Sequence, residues 1–140
     1  MTDPNVELLK PVYEQWGRGE WSRPFDFLAP DYEWGWSEEA PGGELSRPSP
    51  DPDLIAGRPS RRLRDWLSAW DGWHCEAEDY LSAGDDVVVL CRYYGRAKTS
   101  GVPVDVLGAH LWRFRDGKAV HMEIFSSRER ALEAAGFDES

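Results

Sequence analysis

The sequence is short of cysteine, of basic charge and of long apolar runs, and each shortage excludes a class of protein. Two cysteines in 140 residues are too few for a secreted domain held together by disulfides. No run of about 18 apolar residues occurs, so no transmembrane helix is predicted. Acidic residues outnumber basic ones by 26 to 16, and the net charge of −10 would repel nucleic acids and anionic membranes.

The first residues and the two cysteines indicate a cytoplasmic protein. The stretch MTDPNVELLK has no basic segment followed by an apolar block, so we expect no signal peptide. Cys75 and Cys91 lie in separate apolar runs without CxxC spacing. This pattern favours two reduced core residues, with a disulfide as the alternative.

Motifs for the common cofactor and metal chemistries are absent as well. The three histidines lie far apart and in no ligand-spaced motif, so no metal site is predicted. A glycine-rich phosphate loop and a nucleophile elbow are both missing, and we expect no cofactor.

Tryptophan, in contrast, is abundant, with eight residues in this short chain. A buried indole needs a partner for its N–H, so some of these rings are expected to line a space larger than an ordinary core. The candidate wall consists of Trp34, Trp36, Trp66, Trp70 and Trp112. Such a wall suits flat apolar or aromatic molecules or a cation; a tryptophan-rich core without a ligand is the alternative.

The first half of the chain predicts three helices, one strand and a long loop. A helix begins at Asp3-Pro4 and ends at Gly17, with Pro11 expected to kink it or to delay its start. The elements that follow are a short helix at Glu20–Leu28, a strand with one aromatic face at Asp31–Trp36, a loop at Glu38–Asp53 that is a pocket lid or a surface insertion, and a helix at Pro59–Asp71 closed by Gly72.

The second half predicts an antiparallel meander and a last short helix. Strands are expected at Trp73–Ser82 and Val87–Ala97, followed by a hairpin around the turn dipeptide Asp116-Gly117. The last helix is expected at Arg128–Ala135. Because the hairpin is apolar on both faces, helices must cover one face and a second copy of the chain the other. The plan is α+β, one domain over residues 1–140, with a curved sheet that forms a cone around the helices.

Six short motifs, in this order and spacing, resemble the SnoaL-like and ketosteroid-isomerase-like branches of the nuclear transport factor 2-like superfamily, which has the cystatin-like fold. They are Trp16–Trp21 (WGRGEW), Leu28–Trp34 (LAPDYEW), Gly84–Val89 (GDDVVV), Ser100–Val104 (SGVPV), Ala109–Lys118 (AHLWRFRDGK) and Arg128–Gly136 (RERALEAAG). The resemblance implies a deep pocket inside the cone and a homodimer packed through the outer face of the sheet.

The resemblance also implies which side chains face the pocket. These are Trp34, Trp36, Val106, Gly108, His110, Trp112, Phe114, Met122, Ile124 and Ser126. His121, Glu123 and Phe125 are left on the outer face, at the expected dimer contact. Trp34, Trp36, Met122 and Ile124, with Tyr13, Trp16, Trp66, Trp70 and Trp112, are therefore the candidate substrate-binding residues.

Only some catalytic groups of the families that this sequence resembles have a matching residue here. The resemblance implies that Trp36 occupies the position at which ketosteroid isomerases have a carboxylate base. It likewise implies that His110 occupies the position of their acidic hydrogen-bond donor. Their tyrosine donor matches Val12, next to Tyr13. The aspartate that SnoaL-like cyclases place before the last helix is Ser127 here, a residue suited to capping that helix.

His110 is the best candidate for catalysis. Burial in an apolar pocket favours a neutral imidazole, which can serve as a general base or as a hydrogen-bond donor to a ligand carbonyl. Asp79 is the candidate partner that would orient it, with a surface position as the alternative. Arg92 is expected on the outer face or rim, paired with Glu123; a pocket position would suit it to bind a carboxylate.

Two functions remain open at this point. The first is a cofactor-free, SnoaL-like enzyme of isomerase, cyclase or hydrolase type, which moves protons on an apolar cyclic or polyketide-like substrate. The second is a non-catalytic domain of the same fold that binds an apolar ligand or mediates dimerisation.

Overall fold

A computed structural model describes residues 3–21, 25–37 and 47–137 of the chain. Within these ranges the strands form one sheet in the order β2-β1-β6-β5-β4-β3. The elements are α1 (Pro4–Gly17), β1 (Leu28–Trp36), β2 (Ser49–Pro50), α2 (Pro52–Ile55), α3 (Arg61–Leu67), β3 (Trp70–Ala83), β4 (Asp86–Ala97), β5 (Pro103–Arg115), β6 (Lys118–Phe125) and α4 (Arg128–Ala134). No helix in these ranges has the length and apolar character needed to cross a membrane.

Helix α1 begins where the sequence predicts. Asp3 is its N-cap, and the Asp3 carboxylate accepts a hydrogen bond from the Asn5 N–H at 2.8 Å. The helix starts at Pro4 and continues through Pro11, so the expectation of a later start is wrong. Its buried side chains pack on one face of the sheet, called the inner face below; they are Val6, Leu9, Val12, Tyr13 and Trp16.

The helix expected at Glu20–Leu28 is not present at its described residues. Residues 20, 21 and 25–27 are not helical, and Leu28 already belongs to β1, whereas residues 22–24 lie outside the described ranges. The Trp21 indole donates a hydrogen bond to the Trp73 carbonyl at 2.9 Å. This contact ties the segment to β3 and outweighs its weak helical pattern.

The predicted loop Glu38–Asp53 is partly structured. Residues 38–46, and with them the test of a lid, lie outside the described ranges. The end of the stretch is not a loop, because Ser49 and Pro50 pair with β1 as β2. Asp51 then caps α2, with its carboxylate accepting hydrogen bonds from the Asp53 and Leu54 N–H groups.

The helix expected at Pro59–Asp71 is shorter than predicted. α3 covers Arg61–Leu67, and Trp70, assigned to that helix by its spacing, is the first residue of β3. Gly72 therefore does not close a helix. It lies in β3 with a φ of +65°, at the bulge between the paired residues Asp71 and His74.

The meander and the hairpin agree with the sequence. β3 to β6 pair antiparallel in chain order, and β1 joins β6 in parallel. At the hairpin turn, Asp116 and Gly117 have φ angles of 53° and 77°. Two consecutive left-handed residues suit the type I′ turn that this dipeptide predicts. The α+β class and the curved sheet are confirmed.

The two faces of the sheet carry different cores. The larger core lies on the inner face, where Val89, Trp112 and Met122 pack with α1. The smaller core lies on the outer face, where α4 covers Leu111 and Phe125. Phe125, expected at a dimer contact, is thus already buried within its own chain.

A second bulge in β3 places the side chains of its C-terminal end on the faces opposite to those predicted. The pairing shifts between Ala77 and Asp79, so the alternation predicted through Asp79 and Leu81 fails after Ala77. Tyr80 instead faces α1, with its ring centroid 6.0 Å from that of Tyr13, and Leu81 joins the outer core. Asp79 is exposed.

Candidate functional site

A cavity of about 550 Å³ opens on the inner face of the sheet, within the range of small-molecule sites. Seven of the nine predicted binding residues line it: Trp16, Trp34, Trp36, Trp66, Trp70, Met122 and Ile124. The other two, Tyr13 and Trp112, are buried in the core and do not line the cavity. Among the described residues, no Asp or Glu contributes to the wall.

Four tryptophans form a continuous aromatic wall. The ring centroids of Trp36 and Trp66 are 5.4 Å apart, those of Trp66 and Trp70 are 5.6 Å apart, and those of Trp70 and Trp73 are 4.4 Å apart. Trp73 was not predicted here, because the bulge at Gly72 brings it to the cavity. Such a wall offers wide flat surfaces to an aromatic or polycyclic ligand.

A buried carboxylate holds Trp34, the neighbour of Trp36 at one end of this wall, in place. Asp51, only 4% exposed, accepts hydrogen bonds from the Trp34 indole at 2.8 Å and from the Ser60 hydroxyl at 2.6 Å. Burial alone would raise the pKa of Asp51, but these hydrogen bonds and the nearby Arg62 outweigh burial and lower it. The Arg62 guanidinium also lies over the Trp34 ring, 4.3 Å from its centroid. The sequence gives no sign of this role, since the partners lie on separate elements.

A hydrogen-bonded chain leads from the core to His110. The Trp112 indole donates to the Tyr13 hydroxyl at 2.8 Å, and the same hydroxyl lies 2.5 Å from His110 Nδ1. An indole N–H can only donate, so the Tyr13 oxygen accepts there, and its own proton is left for donation to His110 Nδ1. Burial raises the pKa of Tyr13 well above its usual value, which keeps this hydroxyl a neutral donor.

This chain favours one tautomer of His110. Because Nδ1 accepts from Tyr13, the neutral imidazole carries its proton on Nε2. His110 is 3% exposed and lines the cavity, and no described residue forms a hydrogen bond with Nε2. Within the described residues the Nε2–H group thus has no acceptor, and it can donate to a ligand. The residue of α1 that forms a hydrogen bond with His110 is Tyr13, and not Val12, which the resemblance matches to the tyrosine donor.

Two buried thiols lie beside the imidazole. Strand pairing places Cys75 opposite Tyr93 and Cys91 opposite Ala77, so the two thiols are diagonal neighbours on the inner face. Both cysteines are free. Burial raises the pKa of Cys75, whereas for Cys91 a hydrogen bond from Cys75 and the adjacent His110 outweigh burial and lower it.

The ligand atoms of Cys75, Cys91 and His110 all lie within 4.8 Å of one another. The absence of ligand-spaced motifs predicts no metal site, but such motifs only detect ligands that are close in sequence. Here β3, β4 and β5 each supply one potential ligand, and the pairing of the strands brings them together. The residues could hold a metal ion.

Asp79 is not the partner of His110. Its side chain is exposed, and its carboxylate accepts a hydrogen bond from the Tyr80 N–H at 2.9 Å. The predicted pair therefore does not form, because the second bulge of β3 turns Asp79 away from α1. His110 is oriented by Tyr13 instead.

The outer face carries charged networks rather than catalytic groups. Arg92 is on this face as predicted, but it binds Asp105 through two hydrogen bonds of 2.8 and 2.6 Å, not Glu123. Glu123 and Glu33 flank His121, at 3.0 and 3.1 Å from its ring nitrogens. Burial would lower the pKa of His121, but the two carboxylates outweigh burial and raise it.

Ser127 has the capping role that the sequence predicts. Its hydroxyl accepts a hydrogen bond from the Arg130 N–H at 3.2 Å, at the start of α4.

The fold and the cavity define this chain as an α+β protein with a ligand-sized space between a curved sheet and its helices. The family model described as a SnoaL-like domain matches residues 10–122. The chain therefore belongs to the SnoaL-like family of the nuclear transport factor 2-like superfamily. No curated protein matches the chain.

Solved structures with the same fold cover almost the whole chain. A nuclear transport factor 2-like protein from Burkholderia thailandensis is 27% identical, with a TM-score of 0.68 over 96% of this chain and 98% of that one. A candidate SnoaL-like polyketide cyclase from Jannaschia is 17% identical, with a TM-score of 0.62 over 94% and 90%. TerC, co-crystallised with polyporic acid, is 21% identical, with a TM-score of 0.61 over 95% and 98%.

Proposed function

We propose that this protein is a small-molecule enzyme of isomerase, cyclase or hydrolase type, acting by proton transfer on an apolar cyclic or polyketide-like substrate. The observation that carries the proposal is the chain Trp112–Tyr13–His110, which leaves an N–H group of a buried imidazole free at the wall of an aromatic cavity. A buried hydrogen-bonded chain of this kind holds its protons in defined positions, as acid–base chemistry requires.

The proposed role of His110 is that of hydrogen-bond donor and acid, not base. With its proton on Nε2, the imidazole can stabilise negative charge that develops on a carbonyl oxygen of the substrate, and can transfer its proton to that oxygen. When His110 transfers this proton, Nδ1 takes the Tyr13 proton, so the ring remains a neutral imidazole and the Tyr13 phenolate keeps the hydrogen bond from the Trp112 indole. The tryptophan wall positions the rings of the substrate and excludes water.

The substrate class rests on the shape and chemistry of the cavity. Its wall is almost entirely aromatic and aliphatic, and its polar groups are few, with Cys75 and Tyr93 close to His110. This pattern suits a flat molecule with one or two carbonyl oxygens. Two proteins that share the fold, one described as a SnoaL-like polyketide cyclase and one co-crystallised with polyporic acid, support the same class.

A non-catalytic ligand-binding domain is the second candidate. It is favoured by the lack of any carboxylate among the described residues that line the cavity. Trp36 occupies β1 at the position where isomerases of this fold carry their base. In this alternative His110 only holds the carbonyl group of the ligand.

Substitution of His110 distinguishes the two candidates. Ligands are first found by quenching of tryptophan fluorescence with hydroxylated anthraquinones, steroids and polyporic acid, and conversion is followed by mass spectrometry. For an enzyme, His110→Ala should abolish turnover and change ligand affinity by only ~1–2 kcal/mol. Turnover that survives in this variant would remove His110 from the mechanism.

His110→Gln is the matched variant. Glutamine can place an N–H donor in the cavity but cannot transfer a proton at neutral pH. Retained binding with lost turnover supports an acid role. Tight binding without conversion by the wild-type protein, for every ligand that quenches fluorescence, would instead support the binding domain.

The proposed assembly is a homodimer through the outer face of the sheet, as is common in this superfamily. His121 and Glu123 lie on this face and remain available for the contact, whereas Phe125 is covered by α4. Light scattering after size-exclusion chromatography tests it: a dimer mass that falls to a monomer in a Glu123→Arg variant supports this face.

The proposed location is the cytoplasm. Both cysteines are free and buried in the structure, as expected in a reducing compartment. Fractionation of the native host, with thiol labelling of the denatured protein, tests this; a disulfide between Cys75 and Cys91 in freshly isolated protein would argue against it.

A further inference from the structure

The floor of the cavity combines three potential metal ligands in a small triangle. Cys75, Cys91 and His110 place their ligand atoms within 4.8 Å of one another, and Cys91 Sγ lies 3.8 Å from His110 Nδ1. With bonds of about 2.3 Å to sulfur and 2.0 Å to nitrogen, ligands around tetrahedral zinc are separated by about 3.6–3.8 Å. The three side chains are therefore close to the arrangement that such an ion requires.

A second observation at the same place indicates a missing group. The Tyr93 hydroxyl is buried and has no hydrogen-bond partner of good geometry among the described residues, with only the weakly bonding Cys91 thiol near it. The Tyr93 ring lies 5.7 Å from that of His110, between centroids, and Tyr93 stands opposite Cys75 in the sheet. Buried polar atoms are almost always satisfied. An unpartnered hydroxyl beside two thiols and an imidazole suggests that a polar or charged group completes the site.

We propose that Cys75, Cys91 and His110 bind one soft divalent metal ion, zinc by its chemistry, at the floor of the cavity. Thiolate and imidazole together favour zinc over the hard cations magnesium and calcium. Two thiolates balance the charge of the ion, which limits the cost of burying it. Cys75 and His110 line the cavity, so the ion keeps one side open to a ligand, as is usual with three protein ligands.

The Tyr13 hydroxyl and such an ion compete for the same nitrogen of His110. Tyr13 holds the imidazole in the form whose lone pair is on Nδ1, and Nδ1 is the nitrogen next to Cys91. An ion bound there replaces the hydrogen bond from Tyr13 and leaves the proton on Nε2. The ion and the Tyr13 hydroxyl are thus alternative partners of one nitrogen.

Cobalt(II) titration of reduced, chelator-treated protein tests the site without any measurement of activity. We expect one ion per chain, with the thiolate-to-cobalt charge-transfer absorption of a tetrahedral sulfur site, and displacement by zinc. Cys75→Ser and Cys91→Ser should each remove most of this absorption and weaken cobalt binding at least ~10-fold. Val89→Ala is the matched control, because Val89 is fully buried on the same strand and face as Cys91 and should bind cobalt normally.

Two results would overturn the proposal: folded wild-type protein without the thiolate absorption, or absorption that persists in both serine variants. Near-ultraviolet circular dichroism of the tryptophans verifies the fold of each variant. If the serine variants do not fold, X-ray absorption spectroscopy of the zinc-loaded wild-type protein decides. Two sulfur neighbours support the site, and a shell of oxygen and nitrogen alone refutes it. These readouts do not depend on the function proposed above.

Discussion

The inner and outer faces of this sheet use polar side chains in opposite ways, although the same strands supply both. On the inner face, Trp112, Tyr13 and His110 form a buried chain in which each proton has a defined place. On the outer face, Arg92 and Asp105 form a close ion pair, but their side chains remain 43% and 55% exposed. Water can replace the outer contacts, whereas the inner groups are buried away from it.

The difference shows on which face of the sheet the geometry of the polar side chains is constrained. A polar group in an apolar interior destabilises the protein unless its partner is present. An exposed ion pair contributes little, because water and salt screen it. The inner chain is therefore the part of the molecule whose geometry is most constrained, and it is the part that faces the cavity.

The largest effect is expected from Trp112→Ala on the inner face. Trp112 is fully buried and donates to Tyr13, so its removal leaves a large void and should lower the free energy of unfolding by ~3–5 kcal/mol. Trp66→Ala is the control, since Trp66 lines the cavity but is 36% exposed, and it should cost far less. Urea unfolding measures both free energies. Equal losses would mean that the buried hydrogen-bonded chain contributes no more to stability than the exposed Trp66 does.

A pair of tyrosines gives the next largest contrast. Tyr13→Phe removes the acceptor of the Trp112 indole and the donor to His110, at an expected cost of ~1–3 kcal/mol. Tyr94→Phe removes a similar hydroxyl from the outer face, where it donates to Glu76 at 2.7 Å, and should cost less than ~0.5 kcal/mol. The same unfolding experiment measures both. A Tyr94 variant as unstable as the Tyr13 variant would refute the contrast between the faces.

The smallest effect concerns pH and His121. Glu123 and Glu33 raise its pKa in the folded state, so the interaction stabilises fully below the unfolded pKa of about 6.5 and is lost as pH rises through the folded pKa. The stability difference between wild type and His121→Gln should therefore shrink as pH rises above the unfolded pKa of about 6.5. Thermal unfolding across this range measures it, with His74→Gln as control. A difference that grows with pH would show the opposite sign.

The features that the sequence predicts well are local. The Asp3 and Ser127 caps, and the turn at Asp116-Gly117, depend on residues a few positions apart, and the structure has all three. The aromatic wall also follows from the sequence, because a large excess of tryptophan has few other places in a domain of this size.

The features that the sequence misses depend on contacts between distant elements. The two bulges of β3 shift its register, which brings Trp73 to the cavity and turns Asp79 away from it. Asp51 supports Trp34 across 17 positions, and three strands supply Cys75, Cys91 and His110. Spacing along the chain cannot reveal a cluster that only strand pairing creates.

The parallel pairing of β1 with β6 has a consequence for biosynthesis. Glu33 lies opposite His121, 88 positions later in the chain, so the first strand cannot find its place until the last hairpin has left the ribosome. Until then the tryptophans of β1 have no sheet to join, and the nascent chain exposes them to other proteins. Contacts this distant in sequence slow folding and favour aggregation. Chaperone protection of the first strand during synthesis is therefore expected to determine how much of this protein a cell obtains.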